Sequence, residues 1–170
     1  MPTPLVRLLP MSEQHYPVYC AYFIEDYAQD LASNHGHDLP TARHKAEQSL
    51  HQSLPQGVAT PNHHLLCIVP AGGPGADDGA LDIDTQPLGY LWHAIDTAQG
   101  ETFICDFYMT PSRRGLGYGK AAMAALEASL QALGIHQIKL RVAHDNPRAL
   151  ALYQELGFSI TGYNMVRHLG

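Results

Sequence analysis

Apolar residues recur at spacings of four and three over Tyr16, Cys20, Phe23, Tyr27 and Leu31, with Ser12 ahead of them as a helix cap. That stripe predicts a first helix, ended by Asn34-His35-Gly36. A second is expected over 41–54, closed by Pro55 and Gly57. Short apolar runs predict strands at 6–8, 64–69, 88–95 and 102–109. The last two flank a polar stretch at 96–100, the pattern of an antiparallel hairpin. Residues 70–86, which include Ala71-Gly72-Gly73-Pro74-Gly75, are too rich in glycine and polar groups for core, and read as a loop insertion. Met123, Leu126, Leu130 and Leu133 share one face of a third helix that stops at Gly134, and 135–142 follows as a strand. Asn146-Pro147 starts a fourth helix, with asparagine as cap and proline in the first turn. It turns Ala149, Leu152, Tyr153 and Leu156 inward and stops at Gly157; a last strand is expected at 160–169. This order describes a mixed α/β fold, a single domain over residues 1–170 without internal repeat.

Composition narrows the function. The 170 residues are 45% hydrophobic and 15% charged, ordinary for a globular chain. No apolar run approaches the ~18 residues of a membrane span, and Met1-Pro2-Thr3-Pro4 lacks the basic-then-apolar pattern of a secretory leader. Three widely spaced cysteines, Cys20, Cys67 and Cys105, suit reduced thiols in a cytoplasmic protein. A net charge of −6 with no basic stripe argues against duplex nucleic acid as partner. The 11 histidines include His35, His37, His63 and His64, but none has the spacing or the cysteine partners of a zinc site, so no metal is expected.

Chemistry concentrates in Arg114-Gly115-Leu116-Gly117-Tyr118-Gly119-Lys120, between a strand and a helix. Alternate glycines accommodate a tight, positive-φ backbone and bring N–H groups near a ligand, and the helix start adds positive potential: a phosphate cradle. A Walker A loop requires glycine where this chain has Arg114 and a hydroxyl residue where it has Ala121. The dinucleotide fingerprint requires a third glycine where Lys120 or Ala122 stands.

The form that fits is Arg-x-x-Gly-x-Gly over residues 114–119, followed by Asn146, Ala149 and Leu152-Tyr153 and then Gly157-Phe158. In both segments the chain resembles the GCN5-related N-acetyltransferases. The resemblance covers residues 87–163 and implies that family's fold: a mixed, mostly antiparallel sheet with splayed central strands, flanked by about four helices. It also implies acetyl-CoA as cosubstrate. Its pantetheine would pair with the backbone of Phe107, Tyr108 and Met109, and its pyrophosphate would rest on Gly115, Leu116, Gly117, Tyr118, Gly119 and Lys120 beside the Arg114 charge. Asn146 would hold the pantetheine arm, and Tyr153 would protonate the departing thiolate.

The general base is less constrained. Family members often carry a glutamate where this chain has Phe103 or Arg141. Asp106, a carboxylate on an otherwise apolar strand, is the residue chosen, with His144 or a water relay as alternatives. The acceptor is expected to be an amine of a small molecule or peptide, with Glu25, Asp26 and Asp30 available to meet a cation; a homodimer is also open. Two other functions remain in play. One is a non-catalytic acyl-CoA-binding module; the other is a protein acting through association by its last strand or tyrosine-rich first helix.

Overall fold

The structure, a computed structural model, describes residues 6–72 and 86–170. Most of the loop expected at 70–86 therefore lies outside the described residues. Five strands form one sheet in sequence order: β1 (Val6–Pro10), β2 (His63–Pro70), β3 (Gly89–Asp96), β4 (Glu101–Met109) and β5 (Gln137–Leu140). The first four pair antiparallel, β3 and β4 as the expected hairpin, and β5 joins β4 in parallel. Helices α1 (Tyr16–His35) and α2 (Leu39–Ser53) precede β2, α3 (Tyr118–Ala132) joins β4 to β5, and α4 (Pro147–Glu155) follows β5.

Strand alternation divides the core between the two faces. Leu65, Cys67 and Val69 of β2 and Tyr90 and Trp92 of β3 face α1 and α2, in a cluster with Tyr19, Leu50 and Leu54. Ile68, Leu91 and Ile104 face the other way, onto Met123, Leu126 and Leu130 of α3. A smaller cluster of Ala28, Leu31, Ala42 and Ala46 joins α1 to α2, the alanines letting the two helices approach closely.

Several ends differ from expectation. Ser12 caps a turn ahead of α1: its Oγ accepts the His15 N–H at 3.1 Å, and the helix begins only at Tyr16. Leu133, placed on the core face, is 67% exposed because α3 ends one residue earlier in a Schellman closure. There the Ile135 N–H donates to the Leu130 carbonyl at 3.0 Å and Gly134 stands at φ +76°. Strand β5 is four residues long where eight were expected, since pairing with β4 stops at Leu140. The strand expected at 160–169 forms no ladder. The chain leaves α4 through Gly157 at φ +94°, and residues 159–170 make no backbone hydrogen bond among the described residues. A strand exists only as one side of a ladder, and an alternating apolar pattern does not supply the other side.

Candidate active site

The site begins with a register change. Trp92 pairs with Asp106, but His93 pairs with Ile104, so Cys105 is an extra residue on β4. Without it Asp106 would share the α3 face with Ile104. The bulge instead turns it to the α1 face, opposite Trp92. Beyond the bulge β4 also parts from β5: the last paired residues are Ile104 and Leu140, and Phe107, Tyr108 and Met109 have no β5 partner. The two strands therefore open as a V, with the end of β4 unpaired on its β5 side.

Asp106 lies at the base of this opening, deep but partly accessible. Tyr19 and Tyr22, three apart on α1, share the face that meets it. The Tyr19 hydroxyl donates to Oδ2 at 2.9 Å and that of Tyr22 to both carboxyl oxygens at 3.2 Å. Burial pushes the carboxyl up to about 7, with the Asp26 charge adding to the rise, while the two tyrosines and the Phe107 N–H oppose it. Tyr22 stacks on Tyr90 and lies tilted against Tyr108, with ring centroids 5.4 and 4.2 Å away. Tyr90 is fixed in turn by buried His15, whose Nε2 lies 2.8 Å from its hydroxyl.

The opposite wall comes from α4. Asn146 caps it as expected, its Oδ1 accepting the Ala149 N–H at 3.1 Å. Tyr153 rests against Phe107 and edge-on against Phe158, at 6.4 and 5.6 Å between centroids. Its hydroxyl makes no hydrogen bond among the described residues. Burial and the Asp106 charge raise it to about 12, so it holds its proton at neutral pH. At one end of the opening the Asn34 side chain donates to Asp145 at 3.1 Å, tying α1 to the turn before α4.

The glycine turn follows β4. Gly115 and Gly117 stand at φ +75° and +89°, and Gly117 takes the cap position of α3. Gly119 does not share that role: it lies inside the first turn of α3 with no positive φ, facing Leu152 and Phe107. The N–H groups of Tyr118, Gly119 and Lys120 have no acceptor within the helix; the first intrahelical bond runs from the Ala121 N–H to the Gly117 carbonyl. A Cβ on Gly117 would meet nothing within 4 Å. The turn thus offers a concave array of donors with free approach, the geometry that suits an anion. Arg114 braces it, donating from Nε to the Met109 carbonyl at 2.9 Å with its guanidinium 5.4 Å from the Tyr108 ring centre. Lys120 is ion-paired with Glu155 of α4.

Of the acidic residues on α1, Glu25 is held by Arg43 at 3.0 Å and Asp30 accepts from Asn34 at 2.7 Å. Only the Asp26 charge is felt at Asp106. His144 is exposed and outside this cluster. Three contributors escaped the sequence reading. Tyr19 and Tyr22 fall outside the apolar stripe read for the first helix, although their three-residue spacing was a signal that could have paired them. Arg148, whose Nη2 would lie 3.3 Å from a Cβ on Gly115, stands directly after the Asn146-Pro147 signature and brings a cation to the turn.

Among the described residues no group of three or more His, Cys, Asp or Glu could hold a metal, and no helix is long and apolar enough to cross a membrane. Residues 37–158 match the profile of the acetyltransferase (GNAT) family. The N-acetyltransferase YycN of Bacillus subtilis, itself uncharacterised, is 32% identical over 168 residues, 96% of this chain and 99% of that one. Its crystal structure is similar with a TM-score of 0.82 at 30% identity, covering 96% of this chain and 98% of that one. A mycothiol acetyltransferase of Paenarthrobacter aurescens is 40% identical over 83 residues, 46% of this chain but 26% of that enzyme. Spermidine N-acetyltransferase of Vibrio cholerae, crystallised with CoA and spermine, shares the fold: TM-score 0.64 at 17% identity, over 94% of this chain and 84% of that one.

The raised Asp106 carboxyl carries a stability signature. Its folded value near 7 exceeds the unfolded one, so its contribution is full below the unfolded value and is lost as pH rises through 7. Asparagine does not titrate. Thermal melts of Asp106→Asn beside the parent should therefore shift in the variant's favour from about pH 4 to about pH 7 and level off by about pH 8. A constant gap across that range would mean that Asp106 is not held near neutrality.

Proposed function

The chain belongs to the acetyltransferase (GNAT) family, and we propose that it moves an acetyl group from acetyl-CoA to a primary amine of a small molecule or peptide. The observation that carries this reading is the opening between β4 and β5, with a near-neutral carboxyl on one wall and a protonated phenol on the other. Bound acetyl-CoA would supply the activated acyl group as a thioester. The backbone of Phe107, Tyr108 and Met109, which has no β5 partner, would hold the pantetheine as an added strand, with Asn146 beside it. The N–H groups of the turn 115–120, which includes Leu116, would take the pyrophosphate. Arg114 and Arg148 add positive charge there, and Lys120 joins them by leaving Glu155.

Each catalytic role follows from a proton balance. An alkylamine is a cation at neutral pH and must lose a proton before it attacks. Asp106 is half ionised near pH 7 and accepts that proton, directly or through one water, while Tyr19 and Tyr22 hold its orientation. As the new N–C bond forms and the C–S bond breaks, Tyr153 donates its proton to the sulfur, and the second proton shed by the nitrogen restores the phenol. Its raised value keeps it a donor throughout. Asp26 favours a cationic acceptor in the approach from α1. The relatives that act on mycothiol and spermidine are in keeping with a small-molecule acceptor. Unpaired cysteines throughout suit the cytoplasm, where acetyl-CoA is at hand. The non-catalytic alternative rested on missing family carboxylates, and a solvent-reachable Asp106 near neutrality weakens it.

Release of CoA thiol, followed with a panel of amines, polyamines and peptides, tests this reading. With any accepted amine, kcat/KM should fall on the acid side with an apparent pKa near 7, and Asp106→Asn should lose that limb along with most of the rate. A limb that survives in the variant would assign the base elsewhere. Tyr153→Phe should keep its CoA affinity and turn over ~10²-fold more slowly; a wild-type rate would return Tyr153 to a packing role.

A further inference from the structure

The apolar layer on the α3 face of the sheet ends abruptly. Ile138 and Leu140 belong to it, yet no strand follows β5 in the sheet order, so one row of β5 N–H and C=O groups has no partner among the described residues. Open edges of this kind are usually guarded by charge or proline. Here proline is absent from 137–142, and Lys139 is engaged with Glu101 at 2.8 Å.

The same chain carries an unmatched strand. Beyond Phe158, which is anchored on Tyr153, residues 159–170 run without a hydrogen-bond partner among the described residues. Tyr163, Met165 and Leu169 fall on one side of an extended chain and are 81%, 93% and 85% exposed; Val166, on the other side, is 76% exposed. The segment contains no proline and has Arg167 as its one Lys or Arg.

We propose that residues 159–169 of one copy pair as an added strand with β5 of a second copy, and that the second copy returns the same contact. The edge and the segment are two halves of one ladder that each copy carries but does not close alone. A two-fold exchange satisfies both at once, and because the contact is returned it closes with two copies. Tyr163, Met165 and Leu169 would then continue the layer that stops at Ile138 and Leu140. Tyr163, Met165 and Leu169, with Ile160 and Val166 on the other side, are all exposed apolar residues of the kind that an interface between copies buries. A second copy is favoured over another protein because one sequence supplies both complementary parts.

Sedimentation velocity on the chain should give twice the monomer mass at micromolar concentration, and Met165→Asp with Leu169→Asp should raise the dimer dissociation constant at least ~100-fold. Far-UV circular dichroism and CoA-induced thermal stabilisation check that this variant is folded, since neither residue belongs to the catalytic cleft. Independently of any variant, amide exchange in the parent should show protection of 137–140 and 163–169 that grows with protein concentration. A monomeric parent chain, or a dimer indifferent to the two aspartates, overturns the proposal. So does protection that is independent of concentration, which would mean that the segment folds back onto its own β5. A monomer that still releases CoA would sink the exchange while leaving the catalytic reading intact.

Discussion

One extra residue in β4 sets the terms for the rest of the molecule. Cys105 breaks the alternation of the strand, and two consequences follow together. Asp106 is turned onto the α1 face, and the strand diverges from β5 directly after Ile104. Were the ladder regular, β4 and β5 could pair to their ends. Asp106 would then lie among Ile104 and Met123, where an unpartnered carboxylate costs several kcal/mol. The same bulge therefore makes the opening and places a carboxyl at its base.

The surrounding packing serves to hold a carboxyl near neutrality. Burial alone would drive Asp106 protonated and useless as a base; full exposure would leave it ionised but too weak a base to compete for an amine proton. Two tyrosine hydroxyls and a backbone N–H restrain the rise that burial imposes. Tyr19 is fully buried, and Tyr22 is clamped by Tyr90 and Tyr108, so the donors are fixed before any substrate arrives. His15 extends the arrangement one step further by fixing Tyr90. The tyrosine-rich first helix thus frames the Asp106 carboxyl, the base of the proposed reaction.

Most of the fold was legible in the sequence because local signals and tertiary structure agree. The hairpin of β3 and β4, the glycine turn into α3 and the Asn146 cap of α4 each stand where pattern and capping chemistry put them. Asp106 was legible as an oddity, a charge in an apolar run. Its reason was not, because a bulge is a property of two paired strands and leaves no mark in one of them. Tyr19 and Tyr22 were passed over for a related reason: they lie off the apolar stripe of the first helix, and nothing in one helix shows that a carboxylate on a distant strand will meet their hydroxyls. Gly119 was grouped with its neighbours by spacing alone, whereas the helix has already begun there and only Gly115 and Gly117 take positive φ. The strand expected at 160–169 failed because alternation states a preference for pairing without naming the partner.

The central claim is that the parted strands and the glycine turn together make an acyl-CoA site. Gly117 gives the most direct access to it, because its φ of +89° disfavours any side chain while a Cβ there touches nothing within 4 Å. A loss at this position therefore reports the backbone that a ligand must approach and not a disturbed core. The deciding measurement is calorimetric titration of CoA into the parent chain and into folded Gly117→Val. The account predicts saturable, EDTA-resistant binding to the parent and affinity at least ~10-fold weaker in the variant. Equal affinity in the two proteins, or no heat of binding to the parent at millimolar CoA, would contradict it.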